Sequence, residues 1–251
     1  MDSIVIADIQ QKAYFGYPYA FSTICLIYPL TLGDIVGMGQ VKYSSYLSIL
    51  TIDEFDIIEL GKKKGIIIQP EQINILHYLI DSAKQDYSFL LELKNAFRTF
   101  IREEVNVLFD EYEIVIGNGT EKRLLNSDSF GEFQNILRVQ NKRTVKEDPP
   151  PNESPLRRKF RLKAEMRDAV KRKQKSNDPN APDFCALMSS FSCYKSGLTP
   201  QQLREYSFFA FKEDFERNQL KDKYSLDVRS ILAGADPKKV KPEPWIKKIS
   251  N

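Results

Sequence analysis

The chain has 251 residues, a net charge of +3, and is 42% hydrophobic and 28% charged. That length and balance exclude a disordered polyelectrolyte and leave room for one large or two small cores. Sixteen Phe and twelve Tyr favour large contacts inside the fold or across interfaces. Cys25, Cys185 and Cys193 are an odd number without CxxC spacing, which argues against a disulfide framework or a zinc site. All three are expected as buried apolar thiols in a reducing compartment.

In chain order, residues 1–22 show weak periodicity and are expected as a loose N-terminal arm. Asp2 and Asp8 are unlike the basic start of a secretory leader. Ile24–Tyr28 is β-prone and ends at Pro29. The apolar run Ile24–Leu32 is too short to cross a bilayer, so no membrane contact is expected. Thr31 reads as a helix cap. Leu32–Leu50 has the apolar spacing of an amphipathic helix, weakened by Gly33, Gly37 and Gly39. Asp53 opens a short helix to about Gly61. Pro70 suits a first helical position, with Ile73, Leu76, Tyr78 and Leu79 beginning the helix. Ser88–Phe100 continues helically on a face of Phe89, Leu90, Leu93, Phe97 and Phe100.

The period then changes to two. Val105, Val107 and Phe109 alternate with polar residues, as do Tyr112, Ile114 and Ile116. Gly117-Asn118-Gly119 is a turn, and Lys122–Leu125 is a third strand. Ser127 or Asp128 caps a helix carrying Phe130, Phe133, Ile136, Leu137 and Val139. The expected fold is α+β and mostly helical: a small antiparallel β-meander with helices in the N-terminal part, then a helical C-terminal part.

The two parts are separated by residues 146–155, KEDPPPNESP, whose three consecutive prolines deny helix and sheet pairing. Leu156–Lys175 follows with ten Lys/Arg against two acids, so the rest of the chain is net acidic. This segment reads as a helix with a narrow apolar stripe at Leu162, Met166, Ala169 and Val170. After a break at 176–182, Phe184, Leu187, Met188, Phe191 and Tyr194 mark another helix. Thr199-Pro200-Gln201-Gln202 reads as a capping box with proline at the first position. No Gly or Pro interrupts the stretch from there to Gly234, which is one long helix or two in tandem. The expected division is an arm at 1–22, an α+β domain at 23–145, the linker, a helical region at 156–235 and a tail at 236–251.

Reaction chemistry is sparse, and no enzyme, cofactor or metal site is expected. His77 is the only histidine. Gly33, Gly37 and Gly39 match neither a P-loop nor a dinucleotide fingerprint, and close backbone packing or a kinked helix start is the better reading. Glu103-Glu104 carries no further signal. Glu111 and Glu113 are expected on one solvated strand face with Tyr112 opposite. Interaction chemistry is richer. Arg157, Arg158, Lys171 and Arg172 in the basic segment could form a solvated helix face or meet an acidic protein or nucleic acid, although Phe160 and Gln174 are the segment's only aromatic and amide. The tail offers Trp245, Ile246 and Ile249 as an anchor for a groove, unless Trp245 packs back on its own helices.

Two stretches resemble a known class of protein. Tyr28–Ile52, YPLTLGDIVGMGQVKYSSYLSILTI, is similar to the opening of a class of tailed-bacteriophage proteins. Arg229–Ile249, RSILAGADPKKVKPEPWIKKI, resembles their closing element. The resemblance implies a tail-morphogenesis factor, such as a tail assembly chaperone, in the cytoplasm of the bacterial host. Its implied partners are the tape-measure protein or tail-tube subunits. A structural protein of the virion tail, baseplate or connector is the alternative, and no catalytic residue is carried over. The arm at 1–22 departs from the shorter openings of that class.

Overall fold

The computed structural model describes residues 1–63, 65, 73–118, 122–145, 183–194, 198–236 and 239–246, together with Ser154, Leu156, Arg157, Phe160, Arg161, Ala164 and Arg167. Among these residues the chain forms ten helices and two small antiparallel sheets, the mostly helical α+β fold expected.

The N-terminal segment corrects the expectation of a loose arm. Ser3–Tyr14 is helix α1, capped by the Asp2 side chain on the Ile4 amide. Ile9 and Ala13 are fully buried, and the helix packs on α7 (Ser127–Gln140). An exposed Ile4 beside this narrow strip blurs the periodicity in the sequence. Strand β1 (Tyr19–Phe21) then pairs with β2 (Cys25–Ile27), with Ala20 opposite Leu26. Only β2 was legible in advance.

Thr31 caps as expected, and its Oγ1 accepts from the Asp34 amide while Asp34 Oδ2 accepts from the Thr31 amide, both at 3.0 Å. The expected helix over Leu32–Leu50 is two helices, α2 (Leu32–Met38) and α3 (Gln40–Leu50). They part at Gly39, whose φ of +91° a residue with a side chain rarely adopts. Helix α4 (Glu54–Lys63) begins where Asp53 Oδ1 accepts from the Asp56 amide at 2.9 Å. Pro70 lies outside the described residues. Helix α5 (Ile75–Gln85) begins later than expected, because the Asn74 side chain takes up the His77 amide and sets the boundary. Asp86 caps α6 (Tyr87–Ile101).

Strands β3 (Val105–Leu108), β4 (Glu113–Ile116) and β5 (Arg123–Leu125) form the expected meander, with Val107 opposite Ile114 and Ile114 opposite Leu125. Val105, Ile114, Ile116 and Leu125 point into the core. Tyr112 is not a strand residue. It sits in the hairpin turn at φ +55°, so the expected sharing of one strand face by Glu111 and Glu113 does not arise. Helix α7 is capped by Asn126, one residue before the expected Ser127 or Asp128. Its Phe130 and Phe133 meet Phe97, with the Phe97–Phe133 ring centroids 5.5 Å apart, at the centre of this part of the core.

Helix α8 spans Phe184–Tyr194. The capping box at Thr199, with Pro200 and Gln202, opens α9 (Pro200–Glu205) as expected. Of the two alternatives for the uninterrupted stretch, two helices in tandem form: Ser207 caps α10 (Phe208–Leu232). The break is where the C-terminal part joins the rest. Leu32 donates its amide to the Tyr206 carbonyl and Phe208 donates to the Leu30 carbonyl, each at 2.8 Å. Phe208 also meets the Tyr43 ring at 5.5 Å, and Phe191 meets Phe211 at 5.1 Å. One cluster of buried apolar residues therefore runs from Ile9 to Phe211. Cys25 is buried, whereas Cys185 and Cys193 are exposed on α8, which corrects the expectation of three buried thiols. The helix keeps only Phe191 fully inside, and its outer face carries both thiols.

Candidate protein-interaction surface

Helix α10 changes character along its length. Phe208, Phe209, Ala210, Phe211 and Asp214 are buried in the first two turns. The next 18 residues, up to Leu232, would extend ~27 Å at helical rise and include no buried residue. Tyr224, Val228 and Ile231 are half-buried, while Leu226 and Leu232 are 62% and 82% exposed.

Its base is fixed firmly. Asp214 accepts from the Tyr14 phenol of α1 at 2.9 Å and from the Tyr206 phenol at 3.2 Å. Ser207 Oγ donates to the Tyr14 carbonyl. Lys142, at the end of α7, reaches Glu213 at 2.7 Å and Glu216 at 3.0 Å, and Arg217 reaches Glu213 at 2.6 Å. Burial alone would raise the Glu213 carboxyl. The hydrogen bonds from Lys142 and Arg217 outweigh it and hold the group below its ordinary 4.5. Further out, Tyr194 of α8 donates to Asp222, which raises the Tyr194 phenol above its ordinary value.

The chain turns back after α10. The Ala233 amide donates to the Arg229 carbonyl, and Gly234 at φ +99° lets the Ala235 amide reach Ser230. The returning tail brings the Trp245 carbonyl to Arg217 Nη1 at 3.3 Å. Trp245 is half-buried there, and Ile246 beside it is 75% exposed. Trp245 and Ile246 therefore share one place with Arg217 and Glu213. Leu156, Arg157 and Phe160 are exposed, each in helical conformation. Arg158, Lys171, Arg172 and Ile249 lie outside the described residues, as does most of the linker and basic segment. The Glu213–Arg217 pair was legible from its i, i+4 spacing. Lys142 was not, because its partners lie 71 and more residues away.

The chain also contains a groove of about 590 Å³ between α3, α4, α5 and the start of α6. Ile49, Ile52, Leu60, Leu79 and Phe89 line it, and its charged groups are mixed: Asp56, Glu59 and Asp86 with Lys63 and Arg143. Beside it, α7 clasps the end of α3. Gln134 donates to the Leu50 and Ile52 carbonyls, Arg138 to the Thr51 carbonyl at 2.8 Å, and Arg143 to Thr51 Oγ1 at 2.7 Å. Gln134 and Arg138 satisfy carbonyls that a helix end leaves open, and the cationic Arg138 and Arg143 complement its negative dipole.

The residues weighed for catalysis have structural surroundings. The His77 ring lies 4.3 Å from the Tyr112 ring, whose phenol donates to Asp81 at 2.9 Å. Burial, with Glu103 nearby, pushes the Cys25 thiol up to about 12, so it is not a thiolate at neutral pH. A Cβ at Gly33 would stand 3.0 Å from the Arg204 carbonyl oxygen, the close backbone packing expected there. Among the described residues no group of His, Cys, Asp and Glu is placed to hold a metal ion. No helix among them is long and apolar enough to cross a membrane.

Residues 172–250 match the family described as the YomV second domain, a phage-associated domain. The matched span begins inside the basic segment and takes in α8, α9, α10 and the tail with Trp245. No curated protein and no solved structure matches the chain significantly.

Proposed function

We propose that this chain is a non-enzymatic phage tail assembly factor, a chaperone that binds tape-measure or tail-tube subunits. The observation that carries the reading is α10, which has no buried residue beyond Asp214 and exposes Leu226 and Leu232, inside the span that matches a phage-associated domain. An unassembled helical partner exposes long apolar faces that aggregate. A helix with exposed apolar residues and a returning tail can cover such a face, with Trp245 as the large anchor. The N-terminal segment is committed to the core through Ile9 and Ala13, whereas Leu226 and Leu232 of α10 and Ile246 of the tail are exposed.

The test is affinity capture of the full chain from infected or induced cells, with captured proteins and finished particles both identified by mass spectrometry. Capture of the tape-measure or tail-tube protein is expected, with the chain absent from particles. Replacing Leu226 and Leu232 together by Asp should abolish capture and leave the fold intact. Stoichiometric presence in particles would instead make the chain a virion component. DNA binding that falls steeply with salt, and is lost on charge reversal at Arg157, Arg158, Lys171 and Arg172, would move the function to nucleic acid.

A further inference from the structure

The contact between Arg217 and Trp245 is built unevenly. On its inner side, Arg217 is positioned by Glu213, which is itself held by Lys142, a side chain only 5% exposed. The guanidinium therefore has a fixed place at the edge of the core. On its outer side it donates to the Trp245 carbonyl at 3.3 Å, past the usual range for an N–H···O bond. The tail reaches this point by reversing at Gly234 and returning past α10. Trp245 is half-buried at the contact, and the neighbouring Ile246 stays exposed.

We propose that Arg217 is a latch that holds the tail closed on α10, and that its release presents Trp245 to the partner protein. The second part rests on the function proposed above. A donor held from its inner side by Glu213 keeps its place when the tail carbonyl is displaced. Ile246 is the accessible first contact, and Trp245 is the anchor that becomes available afterwards. The latch thus keeps the largest apolar group of the tail partly covered until a partner competes for it.

Trp245 is the only tryptophan, so the intrinsic fluorescence of the full chain reports on the latch directly. Arg217→Ala should shift the emission to longer wavelength and increase quenching by acrylamide, with far-UV circular dichroism unchanged. Emission and quenching equal to the unmodified chain would overturn the latch. Arg217→Ala also removes the pair with Glu213. Arg217→Lys keeps a charge at i, i+4 but lacks the fork that reaches Glu213 and Trp245 together. It should shift emission in the same direction, and if Arg217→Ala fails to fold, unchanged emission in Arg217→Lys overturns the proposal. In the capture experiment, Arg217→Ala should recover more tape-measure or tail-tube protein than the unmodified chain. Equal recovery with a freed Trp245 would overturn the gating role. If the tail is released but neither form captures a tail protein, the latch stands and the assembly function falls.

Discussion

At Gly33 the local requirement is space. An added Cβ would meet the backbone oxygen of Arg204 at 3.0 Å, where the strand-like bridge between Thr31 and Ser207 holds α2 against α9. Backbone cannot swing aside as a side chain can. Gly33→Ala is therefore expected to destabilise the chain by about 1–3 kcal/mol, the usual cost of overpacking. Gly37 lies in the same helix with nothing within 4 Å of an added Cβ. Gly37→Ala should stabilise by about 0.5–1 kcal/mol through helix propensity. Urea denaturation of both variants checks the pair, and equal effects would refute the distinction. The three glycines thus have separate reasons, since Gly39 serves neither purpose and supplies the positive φ between α2 and α3.

Between elements, buried polar groups decide which helix end meets which face. Gln134 and Arg138 lie on α7 among Phe133, Ile136 and Leu137, and all five are buried. They are inside because the carbonyls of Leu50, Thr51 and Ile52 need donors. Arg138→Met keeps the bulk and removes the bond to Thr51. It should cost about 1–3 kcal/mol, the penalty of a carbonyl left without its partner, and amide hydrogen exchange should rise at the end of α3. A melt like that of the unmodified chain would remove Arg138 from this role. Phe191 is the equivalent apolar tie. It is fully buried, with ring contacts to Tyr206 at 5.7 Å and Phe211 at 5.1 Å. Phe191→Ala should cost about 3–5 kcal/mol and free α8, which proteolysis near its exposed Cys185 and Cys193 would reveal.

On the scale of the whole molecule, α1, α7 and α10 are joined by Asp214 and by the group of Lys142, Glu213, Glu216 and Arg217. Glu213 has its carboxyl held below 4.5 in the folded chain. Folding is therefore favoured by this group above the unfolded value, and the contribution is lost as pH falls through the lower folded value. Glu213→Gln should lower stability at neutral pH by about 1 kcal/mol, a modest figure because Glu216 remains beside Lys142 and the group is partly screened by solvent. The same variant should show a weaker decline in melting temperature between pH 5 and pH 3, roughly the window set by a carboxylate with a depressed value. An unchanged acid limb would show that Glu213 does not couple these helices. The proposed assembly function belongs to this scale as well, since a firmly rooted α10 is what carries the exposed Leu226 and Leu232.

The sequence by itself determined the class of fold, the β-meander, the caps at Thr31 and Thr199, and the apolar faces of α6 and α7 that carry Phe97, Phe130 and Phe133. These are local properties: period, capping chemistry and turn residues act within a few positions of one another. It also singled out Trp245, Ile246 and Ile249 as anchor chemistry, with Trp245 packing back on its own helices as the alternative. Tertiary structure alone decided that residues 3–14 are a core helix, because the burial of Ile9 and Ala13 depends on α7 more than a hundred positions later. It likewise decided where the long C-terminal stretch breaks, since Tyr206 and Ser207 bond to Leu32 and Tyr14 across the fold. The place of Trp245 beside Arg217 is of the same kind. Gly234 was legible as the end of the uninterrupted stretch, but which helix side the returning tail meets depends on charges that Lys142 fixes from another element.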